Sequence, residues 1–459
     1  MEKKKLGSSL SSFQMQMIAV GGTIGVGLFM GSAAAIQWTG PSVMLSYLIT
    51  GLILYVVMRA LGEMLYLRPI TGSFADFASD YLHPMAGFLT AWSNVFQWLL
   101  VGISEVIAVG QYLQFWWPNY PTWITSFLVA ITLGLANLLS VKAYAKIETW
   151  LSMIKVLTII VMFILGLLMI CFGLGNHGHP IGISNLWSHG GFFTGGFKGF
   201  MVSLSIVIAA YQGVEILGIT AGEASNAQTS VIKSVRTIVL RVLMLYVAAI
   251  FVIVSIYPWN QMGNIGSPFV KTFSKVGITF AAGIINFVVL TAALSGCNSG
   301  MFSASRMMYT LAQKGDLPKS FTKISKKKIP YIPVITMSVG ILVGSLINYA
   351  LPLISNKASD MFVLVFGASV LPGMVPWIVI LLSHLEFVKK HREELLDHPF
   401  RLIGAPWTNY CALFCLITIV FFMFFNSETR ISIIIGIVFE ILMSLIYIIK
   451  KKKPHLSKV

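Results

Sequence analysis

The chain has 459 residues, 56% of them hydrophobic and 10% charged, and its 32 Lys and Arg outweigh 16 Asp and Glu for a formal net charge of +16; its mean hydropathy is +0.83. Soluble proteins carry about 25% charged residues, so the composition excludes a soluble globular domain and requires a polytopic membrane protein. The apolar runs last about 20 residues and do not alternate, which selects helices over a barrel. The bases cluster in particular loops, as topology signals do, so no nucleic-acid partner is expected.

Residues 1–13 read as a short basic tail, and no small-residue cleavage site follows the first apolar run, so no removable signal peptide is expected. Twelve candidate spans follow, at 14–37, 41–66, 86–115, 122–140, 147–173, 198–222, 237–258, 278–312, 331–350, 360–382, 407–425 and 431–450. In the middle of the first lies GGTIGVG, residues 21–27, with four glycines in seven positions. Gly costs about 1 kcal/mol per position in a helix interior, so this stretch predicts a broken helix. Backbone groups freed by such a break inside a membrane must find partners. A substrate carboxylate on the N–H groups and a substrate amino group on the C=O groups would serve. Span two carries Arg59 and Glu63, spaced to pair. Span three carries Glu105, about 16 Å from the Trp116–Trp117 belt at helical rise.

Span five carries Lys155, about 12 Å from its inner end. The loop 174–197 holds His177, His179 and His189 without a repeated ligand spacing, so no metal is expected there. Span six contains AAYQGVEILG at 209–218, where Gly213 and Gly218 flank Glu215 beside Gln212. This predicts a second interrupted helix. Glu223 at the inner end of span six and Arg306 in span eight join Arg59 and Glu63 as gate candidates. The segment EFVKKHREELLD in the loop 383–406 reads as a short amphipathic surface helix. Glu440 in span twelve reads as a scaffold or dimer contact. The four cysteines, Cys171, Cys297, Cys411 and Cys415, sit in apolar runs and read as small apolar residues.

Alternating the loops places Lys3–Lys5, Arg68, Lys142, Lys146, Lys233, Arg236, the 314–328 loop, the 389–401 loop and Lys450–Lys453 on one side. The other side holds Lys198, Lys271, Lys275, Lys357 and Arg430. The first is the cytoplasmic side, which puts both termini inside the cell membrane. Spans one and six are five spans apart and run in opposite directions. Interrupted helices at matching places of inverted halves point to a secondary transporter, with repeats 14–173 and 198–382, helices eleven and twelve at 407–450, and a basic tail at 451–459. Each buried charge would cost about 2.5–3.5 kcal/mol facing lipid. Glu105, Lys155 and Glu215 therefore read as substrate contacts or proton-coupling groups, against the alternative of buried ion pairs that only orient helices. A charged Lys155 can bond carbonyls freed in the first helix, and a neutral one releases them.

The strings IAVGGTIGVGLFMGS (18–32), GPSVMLSYLITG (40–51), VMRALGEM (57–64), SFADFASDYLHPMAGFLTAW (73–92), EVIAVGQYLQFWWP (105–118), IETWLSMIKV (147–156), GVEILGITAGEASN (213–226) and INFVVLTAALSGCNSGMFSASRMMYTLAQKGDLPK (285–319) occur in one order. Together they resemble bacterial amino acid permeases of the amino acid transporter branch of the amino acid–polyamine–organocation superfamily. The resemblance implies an all-α protein with 12 transmembrane helices in a leucine-transporter-type 5+5 inverted repeat, helices 1 and 6 being broken. It implies proton symport of an amino acid by alternating access. It assigns the substrate carboxylate to the backbone of Thr23, Ile24, Gly25, Val26 and Gly27, and the amino group and side chain to Tyr211, Gln212, Gly213 and Glu215. It gives Lys155 the place of the ion in sodium-coupled relatives. Many branch members have an aromatic or small residue at Gln212. The segment with Ser295, Asn298 and Ser299 is most similar to carriers of small neutral amino acids such as alanine, serine and glycine, D-forms included. Glu105 and Glu215 admit a cationic or histidine-like substrate as the alternative, and an exchanger is the alternative to symport. No cofactor is expected, and with no phosphate loop, metal-ligand run or nucleophile motif, no enzyme activity.

Overall fold

The computed structural model describes residues 10–224, 226–262, 267–274, 279–354 and 361–452. Lys3–Lys5, Lys275, Lys357 and Lys453 of the charge map lie outside the described residues. Regular structure among the described residues is helical, with one isolated bridge between Leu10 and Ala224. The helices are α1 (Ser12–Thr23), α2 (Val26–Phe29), α3 (Gly31–Thr39), α4 (Val43–Leu67), α5 (Ser73–Phe77), α6 (Pro84–Leu113), α7 (Thr122–Asn137), α8 (Val141–Phe172) and α9 (Gly196–Tyr211). They continue as α10 (Ile216–Ala221), α11 (Ala227–Ile256), α12 (Pro268–Ser274), α13 (Thr279–Gln313), α14 (Tyr331–Ile354), α15 (Met361–Ala368), α16 (Val370–Lys390), α17 (Trp407–Met423) and α18 (Ser427–Lys452). Helix occupies each of the apolar runs, and among the described residues eight stretches are long and apolar enough to cross a membrane. The chain is a multi-pass membrane protein.

Local sequence sets the ends. α1 starts at a capping box: Gln14 N donates to Ser11 Oγ (3.2 Å) and Ser11 N donates to Gln14 Oε1 (3.1 Å). α8 starts where Ala143 N donates to Ser140 Oγ (3.2 Å), and it stops at Gly173, which takes the left-handed φ of +69°. α6 starts at Pro84, whose missing N–H would be unpaired there anyway.

α8 shows why this packing needs lipid. Its exposed stripe is Ile147, Trp150, Met153, Leu157, Ile160, Ile164 and Leu168, at helical spacing. Its buried face carries Glu148, Ser152 and Lys155. A soluble helix has the reverse polarity. The polar face of α8 packs on α1, α11 and α13. α6 and α13 lie along one another, α4 packs on α11 and α9, and α1 sits among α8, α10, α11 and α13.

Two helices are interrupted where glycine weakens them. α1 ends at Thr23, Gly25 is extended (φ −130°, ψ −155°), and α2 resumes for one turn. α9 ends at Tyr211, Gln212 is extended, and Gly213 takes φ +112° before α10. A Cβ at Gly213 would lie 2.6 Å from Gly22 O, so the two breaks touch backbone to backbone.

From His391 onward the segment EFVKKHREELLD, residues 386–397, departs from its sequence reading. Helical structure stops with α16 at Lys390 and turns follow. Arg392, Glu393 and Glu394 are exposed, while Leu395, Phe400 and Leu402 are buried. These apolar anchors fold the segment into a loop against the ends of α4 and α16, where an amphipathic helix would have one continuous apolar stripe. Two short helices not expected from the sequence, α5 and α12, lie between longer ones; α5 leads into a π-helical turn over Ala78–Leu82.

Gly213→Ala should strain the second break by about 1–3 kcal/mol and press on Gly22. Its purified form should melt lower than the control Gly191→Ala, which shares a positive φ (+90°) but has open space around it. Equal melting temperatures would refute the close approach.

Candidate functional site at the two helix breaks

Each break frees carbonyls on one side and N–H groups on the other, and each is answered by a side chain. Lys155 Nζ donates to Gly21 O and Ile24 O, both at 2.8 Å. Ser152 Oγ donates to Met17 O at 2.7 Å, one turn earlier on the same faces. The Tyr246 hydroxyl lies 2.8 Å from Thr23 O and 3.0 Å from Ala210 O, sharing its proton between the carbonyls of both broken helices. On the donor side, Val26 N donates to the Glu105 carboxylate (3.2 and 3.4 Å). Gly213 N donates to Glu215 Oε2 at 2.9 Å, and Trp377 Nε1 donates to the same oxygen at 3.2 Å. Gly25 is required for this: a Cβ there would run into Glu105 Oε1. These groups are buried, and carboxylates at helix starts with a cation at freed carbonyls match the local dipoles.

Between the breaks lies a small cavity of about 10 Å³. Its walls are Gly22, Thr23, Gly25 and Gly27 from the first break, Gln97, Trp98, Val101 and Glu105 from α6, Ala209 and Gln212 from the second, and Phe366 from α15. That is room for about one water molecule, far below the range of about 300–1,000 Å³ usual for ligand pockets, so the walls stand closed on one another. Of the residues expected at the site, Thr23, Gly25, Gly27, Glu105 and Gln212 line it. Ile24 and Val26 enter through their backbone, on Lys155 and Glu105. Tyr211, Gly213, Glu215 and Ser295 are not in its walls. Tyr211 OH donates to Tyr47 O (3.0 Å) within a cluster of Tyr47, Tyr211 and Tyr246 rings. Gly213 and Glu215 close the second break on each other.

Ser295 Oγ donates to the carboxylate of Glu148. That carboxylate also accepts from Asn298 Nδ2 (2.9 Å), and Asn298 accepts from Asn137 Nδ2 (2.7 Å). This network behind α1 joins α7, α8 and α13. Glu148, Tyr246, Gln97 and Trp377 were not expected from the sequence. Only Glu148 left a signal: it stands seven residues before Lys155, two turns away on the same face.

The gate candidates divide. Arg306 Nε and Glu223 Oε1 form a buried ion pair at 3.0 Å, and the Arg306 guanidinium lies over the Phe302 ring at 3.5 Å. Leu10 N donates to Glu223 O (3.1 Å), so the N-terminal segment reaches the same place. Arg59 and Glu63 form no ion pair with each other. The Arg59 guanidinium covers Phe400 at 3.7 Å and donates to Arg401 O. Glu63 accepts from Leu402 N at 2.7 Å and lies 3.1 Å from His384 Nε2. The 391–402 loop supplies better partners than a surface i,i+4 pair worth about 0.2–0.5 kcal/mol. Glu440 accepts from Ser93 Oγ at 2.6 Å, a scaffold contact between α18 and α6.

The amino acid permease family model matches residues 14–458. The chain is 53% identical over 462 residues to "Probable threonine/serine transporter YbxG" of Bacillus subtilis (strain 168), an alignment that covers 100% of this chain and 99% of that protein. It is 43% identical over 447 residues to "Uncharacterized amino acid permease YtnA" of the same organism, covering 97% of this chain and 95% of that one. It is 37% identical over 457 residues to "Amino-acid permease AapA", also of that organism, covering 100% and 98%.

Tyr246→Phe should take the hydroxyl partner from Ala210 O and leave Thr23 O with Gly25 N alone, at a cost of about 1–3 kcal/mol. A thermal melt of the purified variant should shift down, and an unshifted melt would show that the bridge carries no load.

Proposed function

The chain belongs to the amino acid permease family, and from that premise we propose that it is a secondary active transporter taking up small neutral amino acids by proton symport. The proposed architecture has 12 transmembrane helices in a leucine-transporter-type 5+5 inverted repeat, 14–173 and 198–382, with both termini cytoplasmic. Substrate sits in the cavity between the breaks. Its carboxylate takes the N–H groups around Gly25–Gly27 as Glu105 yields Val26 N, and its ammonium takes the freed carbonyls. Threonine and serine are the favoured substrates, carried over from the name of the 53%-identical relative.

A small neutral side chain suits the site. The cavity is small and has Trp98, Val101 and Phe366 in its walls. Glu215 stands outside the cavity walls, its Oε2 held by Gly213 N and Trp377 Nε1, so of the two carboxylates Glu105 is the one a cationic or histidine-like side chain would meet.

The observation that carries the coupling is Lys155 Nζ on Gly21 O and Ile24 O. Two charge-assisted hydrogen bonds are worth about 3–6 kcal/mol together. Reversing a two-state equilibrium from 1:99 to 99:1 takes about 5.5 kcal/mol. Losing the Lys155 proton would therefore weaken the tie between α1 and α8 by the amount a transporter needs to change which side it faces. The Arg306–Glu223 pair, near Leu10, acts as the cytoplasmic gate.

The test is uptake into proteoliposomes under an imposed proton gradient, with one labelled amino acid competed by all twenty and their D-forms, with and without a protonophore. Threonine and serine should compete best, and the protonophore should collapse accumulation. Lys155→Ala should abolish accumulation while counterflow exchange survives. Unchanged accumulation by that variant at every pH would refute the coupling role.

A further inference from the structure

We propose that Gln97 is the residue that selects for a hydroxyl on the substrate side chain; this rests on the cavity being the amino acid site. The side chain of Gln97 lines the cavity and is fully buried. Its amide orientation follows from a chain of partners. Val370 O is a backbone carbonyl and can only accept, so the Gln212 atom 3.0 Å from it must be Nε2. Gln212 then presents Oε1 to α6, and the Gln97 atom 3.3 Å from that oxygen must be the donor Nε2. What remains is Gln97 Oε1, a buried acceptor with no partner.

A buried unpaired acceptor selects for a ligand that can donate to it. The neighbouring wall residue Trp98 carries a buried indole N–H that also lacks a partner. A hydroxyl offers both a donor and a lone pair, and can answer both. A methyl in the same place answers neither, and expels whatever water could. Sites built to bond a substrate hydroxyl reject the analogue without it far more strongly than apolar pockets reject an added one. Val101, one turn from both Gln97 and Glu105, lies in the wall between them. The backbone-reading end of the cavity is thereby separated from the end that reads the side chain.

The ligand pairs that isolate this contact are threonine against valine and serine against 2-aminobutyrate, each matched in size and differing in OH for CH₃. Affinity is read by thermal stabilisation of the purified, detergent-solubilised chain, which needs no transport, and by competition against labelled threonine uptake. The native chain should prefer the hydroxyl member at least tenfold in both pairs. Gln97→Leu and Gln97→Met should bring the ratio within threefold, by weakening threonine more than valine. A native chain that binds valine within threefold of threonine overturns the proposal whether or not the variants fold. So does a folded Gln97→Leu or Gln97→Met variant that keeps the tenfold ratio. A native chain that binds no amino acid at all instead overturns the assignment of the cavity.

Discussion

A helix broken inside a membrane leaves amide and carbonyl groups that no water can satisfy, and the arrangement around both breaks follows from that constraint. Unpaired, each buried group would cost about 1–3 kcal/mol. The chain answers with fixed side chains: Lys155 and Tyr246 on the carbonyls, Glu105 and Glu215 on the amides. Each answering group sits on a different segment from the backbone it serves, except Glu215, which caps its own break. The breaks are thus ties between helices as well as defects within them. Tyr246 extends this furthest, because one hydroxyl on α11 serves a carbonyl from each broken helix.

The same constraint explains the inverted polarity of α8. Its outer face needs only methyl and aromatic groups against lipid. Its inner face supplies Lys155 and Ser152 to α1, and Glu148 to Ser295 and Asn298. α8 is therefore the element through which the first break is braced to α13. A brace and, on the proposed transport cycle, a releasable tie stand two turns apart on one helix. Glu148 is fastened by neutral side chains, whereas Lys155 holds backbone that would be free to move on losing it. On the proposed transport cycle, movement of α1 would occur at Lys155 while the Glu148 network keeps α8 and α13 in register.

The breaks were legible in the sequence because glycine content and mid-span position act locally: GGTIGVG breaks at Ile24–Gly25 and AAYQGVEILG at Gln212–Gly213. Lys155 was legible too, since a lone lysine deep in an apolar run must find oxygen partners, and the broken helix exposes them. Partners set by the tertiary fold were not. The i,i+4 spacing of Arg59 and Glu63 suggested a pair, but both are drawn to a loop more than 330 residues away, at Phe400–Leu402. Tyr211 stands beside the break in sequence, yet a helix turns its hydroxyl toward Tyr47. Tyr246 and Gln97 gave no signal, because a neutral polar residue in a span is ordinary until its neighbours on other helices are known. The twelve runs were read from hydropathy, which is an average over many residues, while α5 and α12 are too short to register in it.

On the proposed reading, selectivity and binding are divided between two kinds of chemistry. Backbone groups at the breaks can grip only what every α-amino acid has in common. Side-chain discrimination must come from the wall, and there the orientation of one amide is dictated by a backbone carbonyl two residues removed in the hydrogen-bond chain, from Val370 through Gln212 to Gln97. That chain also joins α16, the second break and α6. A residue at position 212 without an amide would remove one of the acceptors that hold the Gln97 nitrogen, the other being the Glu215 carboxylate. Gln212 thus matters less as a contact than as the reference that fixes which atom its neighbour shows. On that reading the wall needs a polarity with a defined sign, and the paired amide at position 212 provides one.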